Sequence, residues 1–91
     1  MHKFLIEKKL EKIMIKLEKK NGFLYNQIKN KINEVINSKN IEHYKNLRHD
    51  LKEFKRVHIG HFVLIFRYYK KDNLISFEDF EHHDKIYIKK Y

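Results

Sequence analysis

Seven histidines in a chain with no cysteine are the groups best suited to move protons near neutral pH. An imidazole with its ordinary pKa of about 6.5 can serve as base or as acid. Three of them lie in basic or aromatic surroundings. His49 and His58 fall in the segment YKNLRHDLKEFKRVHIG at 44–60, and His83 in HHDKIY at 82–87, on either side of the aromatic run HFVLIFRYY at 61–69. Arg56 precedes His58 by two residues, and Tyr87 follows His83 by four. Metal-free cleavage of an RNA backbone needs these residue types. A base must take the 2′-hydroxyl proton, an acid must protonate the 5′ leaving oxygen, and fixed cations must meet the growing negative charge on the phosphate.

The roles can be apportioned from side-chain chemistry. His58 or His49 is the expected base, and His83 the expected acid. Arg56 is expected to grip phosphate oxygens through its planar guanidinium fork, with Lys52 supplying further charge. Lys55, His61 and Lys85 are further candidates for RNA or phosphate contact. Tyr87 could stack on a splayed base or hydrogen-bond the scissile phosphate. His2 and His43 read as surface residues. His82, next to His83 on a strand, should face the other way and be structural. Phe62, Phe66 and Phe77 read as core. His58 and His61 are three apart across a glycine and His82 and His83 are adjacent, yet no carboxylate pattern completes a recognised ligand spacing, so neither metal nor cofactor is expected.

These groups need elements to position them. Residues 2–6 (HKFLI) form a short apolar opening, expected as an edge strand. Leu10, Ile13, Met14 and Leu17 share one face of a helix expected over 7–20. Asn21-Gly22 should end it, because both residues tolerate the left-handed conformation. Leu24, Ile28, Ile32, Val35 and Ile36 mark a second helix over about 23–37, making an antiparallel helical hairpin. Residues 38–53 are polar and read as a loop with a helical turn. In 55–59 Val57 and Ile59 alternate with Arg56 and His58, as on a half-buried strand. Gly60 marks a tight turn or bulge. Residues 61–69, apolar on both faces, should be a central strand. The polar stretch 70–73 should turn into a last strand over about 74–80. The expected class is α+β: an N-terminal edge strand and a two-helix hairpin packed on a small, twisted, mainly antiparallel sheet. The other sheet face would be left free to bind.

Composition narrows the partners. Ninety-one residues suit a single domain, 1–91, and 42% hydrophobic content with seven Phe and six Tyr argues against disorder. A net charge of +9, from 21 Lys and Arg against 12 Asp and Glu, favours a polyanionic partner. The absence of cysteine excludes disulfides, thiolate catalysis and Cys-ligated zinc. The longest apolar run, 62–66, is too short to cross a bilayer, and no signal peptide is evident. A cytoplasmic location without membrane contact is expected.

With this element order, RHDLKE at 48–53, RVHIGHFVLIFRY at 56–68 and HHDKIY at 82–87 make the chain resemble the RelE/ParE superfamily of type II toxin–antitoxin toxins. The match in order and length covers essentially the whole chain, and the residue match about its second half. The histidine-rich, YafQ-like branch is the most similar. There His49 falls at a loop histidine, His58 at a strand histidine, His83 at a last-strand histidine and Tyr87 at the terminal aromatic. His61 lies near an aspartate position of that branch, and Arg56 near a basic strand residue of RelE proper. The arginine usual in the central strand is Val63 here, and that of the last strand is His83 or Glu81, which favours a histidine mechanism. The resemblance implies a metal-independent endoribonuclease, or mRNA interferase, that cleaves mRNA in the ribosomal A site by 2′-OH attack. It also implies an acidic, RelB-like antitoxin bound in a hetero-oligomer. Two other functions remain open: a ParE-like gyrase inhibitor and a non-catalytic basic nucleic-acid-binding module.

Overall fold

Apolar side chains at helical spacing bring the first half of the chain onto the sheet. The computed structural model describes residues 1–48 and 51–86. Strand β1 (Lys3–Ile6) is followed by helices α1 (Lys8–Lys20) and α2 (Gly22–Ile36). Leu10, Met14, Ile28, Ile32, Val35 and Ile36 are buried, with Ile13, Leu17 and Leu24 partly buried beside them. The break between the helices needs no left-handed residue. Asn21, at φ −151° and ψ 76°, closes α1 and starts α2, its side chain accepting the Leu24 N–H at 3.2 Å. The sharp reversal is thus made by a side-chain cap.

Strands β2 (Lys55–Ile59), β3 (Phe62–Tyr69) and β4 (Leu74–His82) form a meander, and β1 returns to its far edge, giving the order β1-β4-β3-β2. The meander is antiparallel, whereas β1 runs parallel to β4, so the sheet is mixed. A parallel pair requires a crossover, and the helical hairpin supplies it. Gly60, at φ +61°, takes the first central position of the two-residue turn between β2 and β3. That is the position where such hairpins favour glycine. Asn73, at φ 49°, closes the next turn in the left-handed region.

β4 contains a bulge opposite Ile65 and Phe66. Ile65 pairs with Asp79 and Phe66 with Phe77, so Glu78 is the extra residue. One inserted residue reverses the alternation of side chains along the rest of the strand. Phe77 and Phe80 therefore both join the core under the helices, although they are three residues apart.

Leu64, Phe66, Ile75, Phe77 and Phe80 make the helix-covered core. The opposite face is not left bare. Leu47, Leu51 and Phe54 from the 44–54 segment and Ile86 from the C-terminal turn cover Val63 and Ile65, forming a second, smaller core. No helix among the described residues is long and apolar enough to cross a membrane.

Candidate active site

The second core is incomplete at one end, where its cover meets β2 and the turn after β4. A cavity of about 250 Å³ opens there, lined by Leu47, Arg48, Arg56, His58, Val63, His83 and Ile86. Each polar wall has a local cause. On β2, alternation turns Val57 and Ile59 toward the helices, which leaves Arg56 and His58 on the cavity side. His83 begins a 3-10 turn (His83–Lys85) whose start is fixed by two bonds. Its backbone N–H donates to the His61 carbonyl at 3.0 Å, and the His82 ring accepts the Asp84 N–H at 3.3 Å. Arg48 arrives because the segment before it runs antiparallel to β2. Asn46 bridges to Lys55, the Leu47 N–H donates to the Phe54 carbonyl at 2.8 Å, and the Arg56 N–H donates to the Lys45 carbonyl at 2.9 Å.

Within the cavity wall, Arg56 Nη1 donates to His58 Nε2 at 2.5 Å. A guanidinium can only donate, so that imidazole nitrogen carries a lone pair and the ring is neutral. Partial loss of water lowers the His58 pKa below the ordinary histidine value, and the nearby cations and imidazole of Arg56, His83 and Lys45 push it further the same way. The residue is nevertheless exposed, so it can be reached from outside. A neutral, accessible imidazole beside a guanidinium is suited to accept a proton next to an anion. Arg56 Nε is buried and has no hydrogen-bond partner among the described residues, while Nη1 engages His58.

The structure brings Arg56, His58 and His83 to one cavity. Lys52, Lys55, His61 and Lys85 are not part of its lining. Lys55 is tied to the neighbouring segment, its Nζ donating to the Tyr44 carbonyl and to Asn46 Oδ1, both at 3.1 Å. The His61 ring stacks on His82, with centroids 6.2 Å apart. His82 in turn meets Phe62 edge-on at 5.5 Å and stacks on His83 at 5.2 Å. The two rings therefore do not face opposite ways as strand alternation predicted, because the 3-10 turn begins at His83. His82 is nonetheless not part of the cavity lining. His2 bonds to Asn73 and to the Ser38 carbonyl, and His43 to the Asn40 carbonyl, so both hold turns. His49 and Tyr87 lie outside the described residues. Arg48 is the wall residue that sequence reasoning passed over. The signal was its position at the head of the basic RHDLKE segment, but only the pairing of 45–47 with β2 aims that segment at the cavity.

No family model matches the chain. The fold is close to solved toxins. It superposes on the RelBE2 toxin–antitoxin complex of Mycobacterium tuberculosis with a TM-score of 0.73, at 12% identity over 90% of this chain and 98% of that one. YafQ of Escherichia coli gives 0.71 at 18% identity, covering 96% of this chain and 99% of that one. These likenesses define the class: a RelE-like α+β fold, with two helices on a mixed four-stranded sheet. In sequence, the chain is 44% identical over 91 residues to the protein assigned as toxin RelE4 in Methanocaldococcus jannaschii, covering 99% of this chain and 95% of that protein. The chain therefore belongs to the RelE family of toxin–antitoxin toxins, within the RelE/ParE superfamily.

Proposed function

We propose that this toxin is an endoribonuclease that cleaves mRNA in the ribosomal A site by attack of a 2′-hydroxyl on its own phosphodiester. The convergence of Arg56, His58 and His83 on one open cavity carries the reading. His58, held neutral by its surroundings, takes the 2′-hydroxyl proton. Arg56 gives up its contact with His58 to the incoming phosphate and stabilises the added charge of the phosphorane, with Arg48 as a second cation. His83 delivers a proton to the departing 5′ oxygen. All three steps use protein groups and need no metal. His49 and Tyr87 join the proposal through the family resemblance, as a second basic group and as a support for the base or phosphate. Lys52, Lys55, His61 and Lys85 would contact RNA beyond the cavity.

Few groups among the described residues line the cavity, which leaves little surface there with which to orient a flexible single strand. The ribosome, which holds the message in a defined path, would supply that orientation and its entropic advantage. An acidic antitoxin would neutralise the +9 charge, and the mycobacterial relative was solved as a toxin–antitoxin complex. We place the protein in the cytoplasm, where its ribosomal target lies, and take 1–91 as one toxin domain. The test is cleavage of a programmed ribosome complex, read by primer extension, with wild type, His58→Ala and His83→Ala. The expected result is cuts within the A-site codon, little cutting of naked RNA and strong loss in both variants. Arrested supercoiling with intact messages would instead identify a gyrase inhibitor. Binding that follows net charge alone, indifferent to either histidine, would identify a plain nucleic-acid-binding module.

A further inference from the structure

The turn that delivers His83 to the cavity also gathers three donor groups. His82, His83 and Asp84 each present one ligand-type atom, and these atoms lie within 4.8 Å of one another. His83 Nε2 is 2.9 Å from Asp84 Oδ1, and His82 Nδ1 is 3.5 Å from Asp84 Oδ2. In a tetrahedral shell with bonds of about 2.0–2.1 Å, neighbouring donors sit roughly 3.3 Å apart. The two measured separations straddle that value. They are measured to different Asp84 oxygens, and the three donor atoms as a set lie within 4.8 Å, so ligation requires side-chain rotation to draw them together.

A second observation concerns the His83 ring. Its Nδ1 faces the His61 carbonyl at 3.4 Å, while its Nε2 faces the Asp84 carboxylate. The 2.9 Å contact is with a carboxylate, which can only accept, so it places an N–H on Nε2, and the longer Nδ1 contact is the weaker of the two. A metal ion bound at Nε2 would displace that proton and take its place between the ring and the carboxylate, since ligation requires the deprotonated nitrogen. His82 Nδ1 has its lone pair directed at the turn, where it accepts the Asp84 N–H in a long bond of 3.3 Å that a metal ion would replace.

We propose that His82, His83 and Asp84 bind a zinc-class divalent cation, with solvent completing the shell, and that the bound ion holds the toxin inactive. Imidazole and carboxylate donors suit zinc and its neighbours and disfavour magnesium or calcium. The inhibitory part rests on the nuclease reading, because the ion takes the Nε2 lone pair through which His83 carries its proton. His82 and Asp84 take no part in cleavage, so the site can be removed without touching the reaction.

The full chain, stripped of metal with a chelator, would be titrated with zinc chloride by calorimetry and with cobalt(II) by visible absorption. The expected result is one ion per chain and a cobalt spectrum of tetrahedral type. His82→Ala and Asp84→Asn should weaken binding by more than the roughly 10–100-fold that follows loss of an outer-shell partner. His58→Ala should leave it unchanged. Failure of the wild type to bind either metal at millimolar concentration would overturn the site, as would unaltered binding by His82→Ala. Equal weakening by His58→Ala would place the ion in the cavity and also overturn it. In the ribosome assay, zinc should stop cleavage by wild type and spare His82→Ala. Equal inhibition of both would overturn the regulatory role. A chain that cleaves nothing with or without metal, yet shows the expected titrations, would leave the site standing and remove the nuclease reading.

Discussion

The two faces of the sheet are covered by different means and serve different ends. Under the helices, Leu64, Phe66, Ile75 and Phe77 are wholly buried against Leu10, Ile28 and Val35. On the other face a loop segment and a C-terminal turn cover Val63 and Ile65 with Leu47, Leu51, Phe54 and Ile86. The helical cover seals its face because a helix satisfies its own backbone while presenting a broad apolar stripe. The loop cover is thinner and leaves a cavity at one end, where imidazoles and guanidinium groups stay in reach of solvent. Stability should therefore reside mainly in the first face and chemistry in the second.

Substitutions on the two faces can break that division. Phe77→Ala should cost about 3–5 kcal/mol, as expected for emptying a large buried aromatic site. Its thermal melt should fall the furthest of all the variants. Leu47→Ala, under the thinner cover, should cost about 2 kcal/mol, at the low end for a buried leucine. Equal losses in circular-dichroism melts would show that the loop-covered face carries as much of the fold. Next come His58→Ala and His83→Ala, each expected to slow cleavage by about two to four powers of ten. Their melting temperatures should stay close to wild type. His82→Ala should retain activity in chelator, and an activity loss there equal to that of His83→Ala would mean that both rings reach the substrate.

A smaller effect concerns protonation. Because the His58 pKa lies below the ordinary value, its neutral form should persist into mildly acid solution. Cleavage should then fall off only as pH drops below about 6.5, the ordinary histidine value. In an NMR titration of the His58 ring, Arg56→Gln should raise the midpoint only partway. It removes one repelling charge, while burial, the larger cause, remains. A midpoint at or above the ordinary value in the wild type would count against His58 as the base. The smallest change is Gly60→Ala. At φ +61° an L side chain is strained although nothing crowds the added carbon, so a cost of about 1–2 kcal/mol is expected. A melt unchanged by this substitution would show that the β2–β3 turn readily takes another form.

Most of the element order was legible in the chain because it rests on local patterns. Helix stripes, the alternation of Lys55–Ile59 and the doubly apolar Phe62–Tyr69 mark their own faces and lengths. His58 and Arg56 could be assigned to one side of β2 for the same reason. What alternation could not supply was the face of β4 on which His83 would emerge. A regular strand that buries Ile75 and Phe77 beneath the helices would point residue 83 to that side as well. The extra residue at Glu78 reverses the count, turning His82 toward Phe62 while the following turn carries His83 to the cavity. Likewise the free sheet face expected from the sequence is a covered one, and Arg48 reaches the site only through pairing of 45–47 with β2. Local periodicity decides which residues share a face within one element. A bulge, or a loop laid along an edge strand, depends on partners distant in sequence, so the cavity took its shape only when the sheet was assembled.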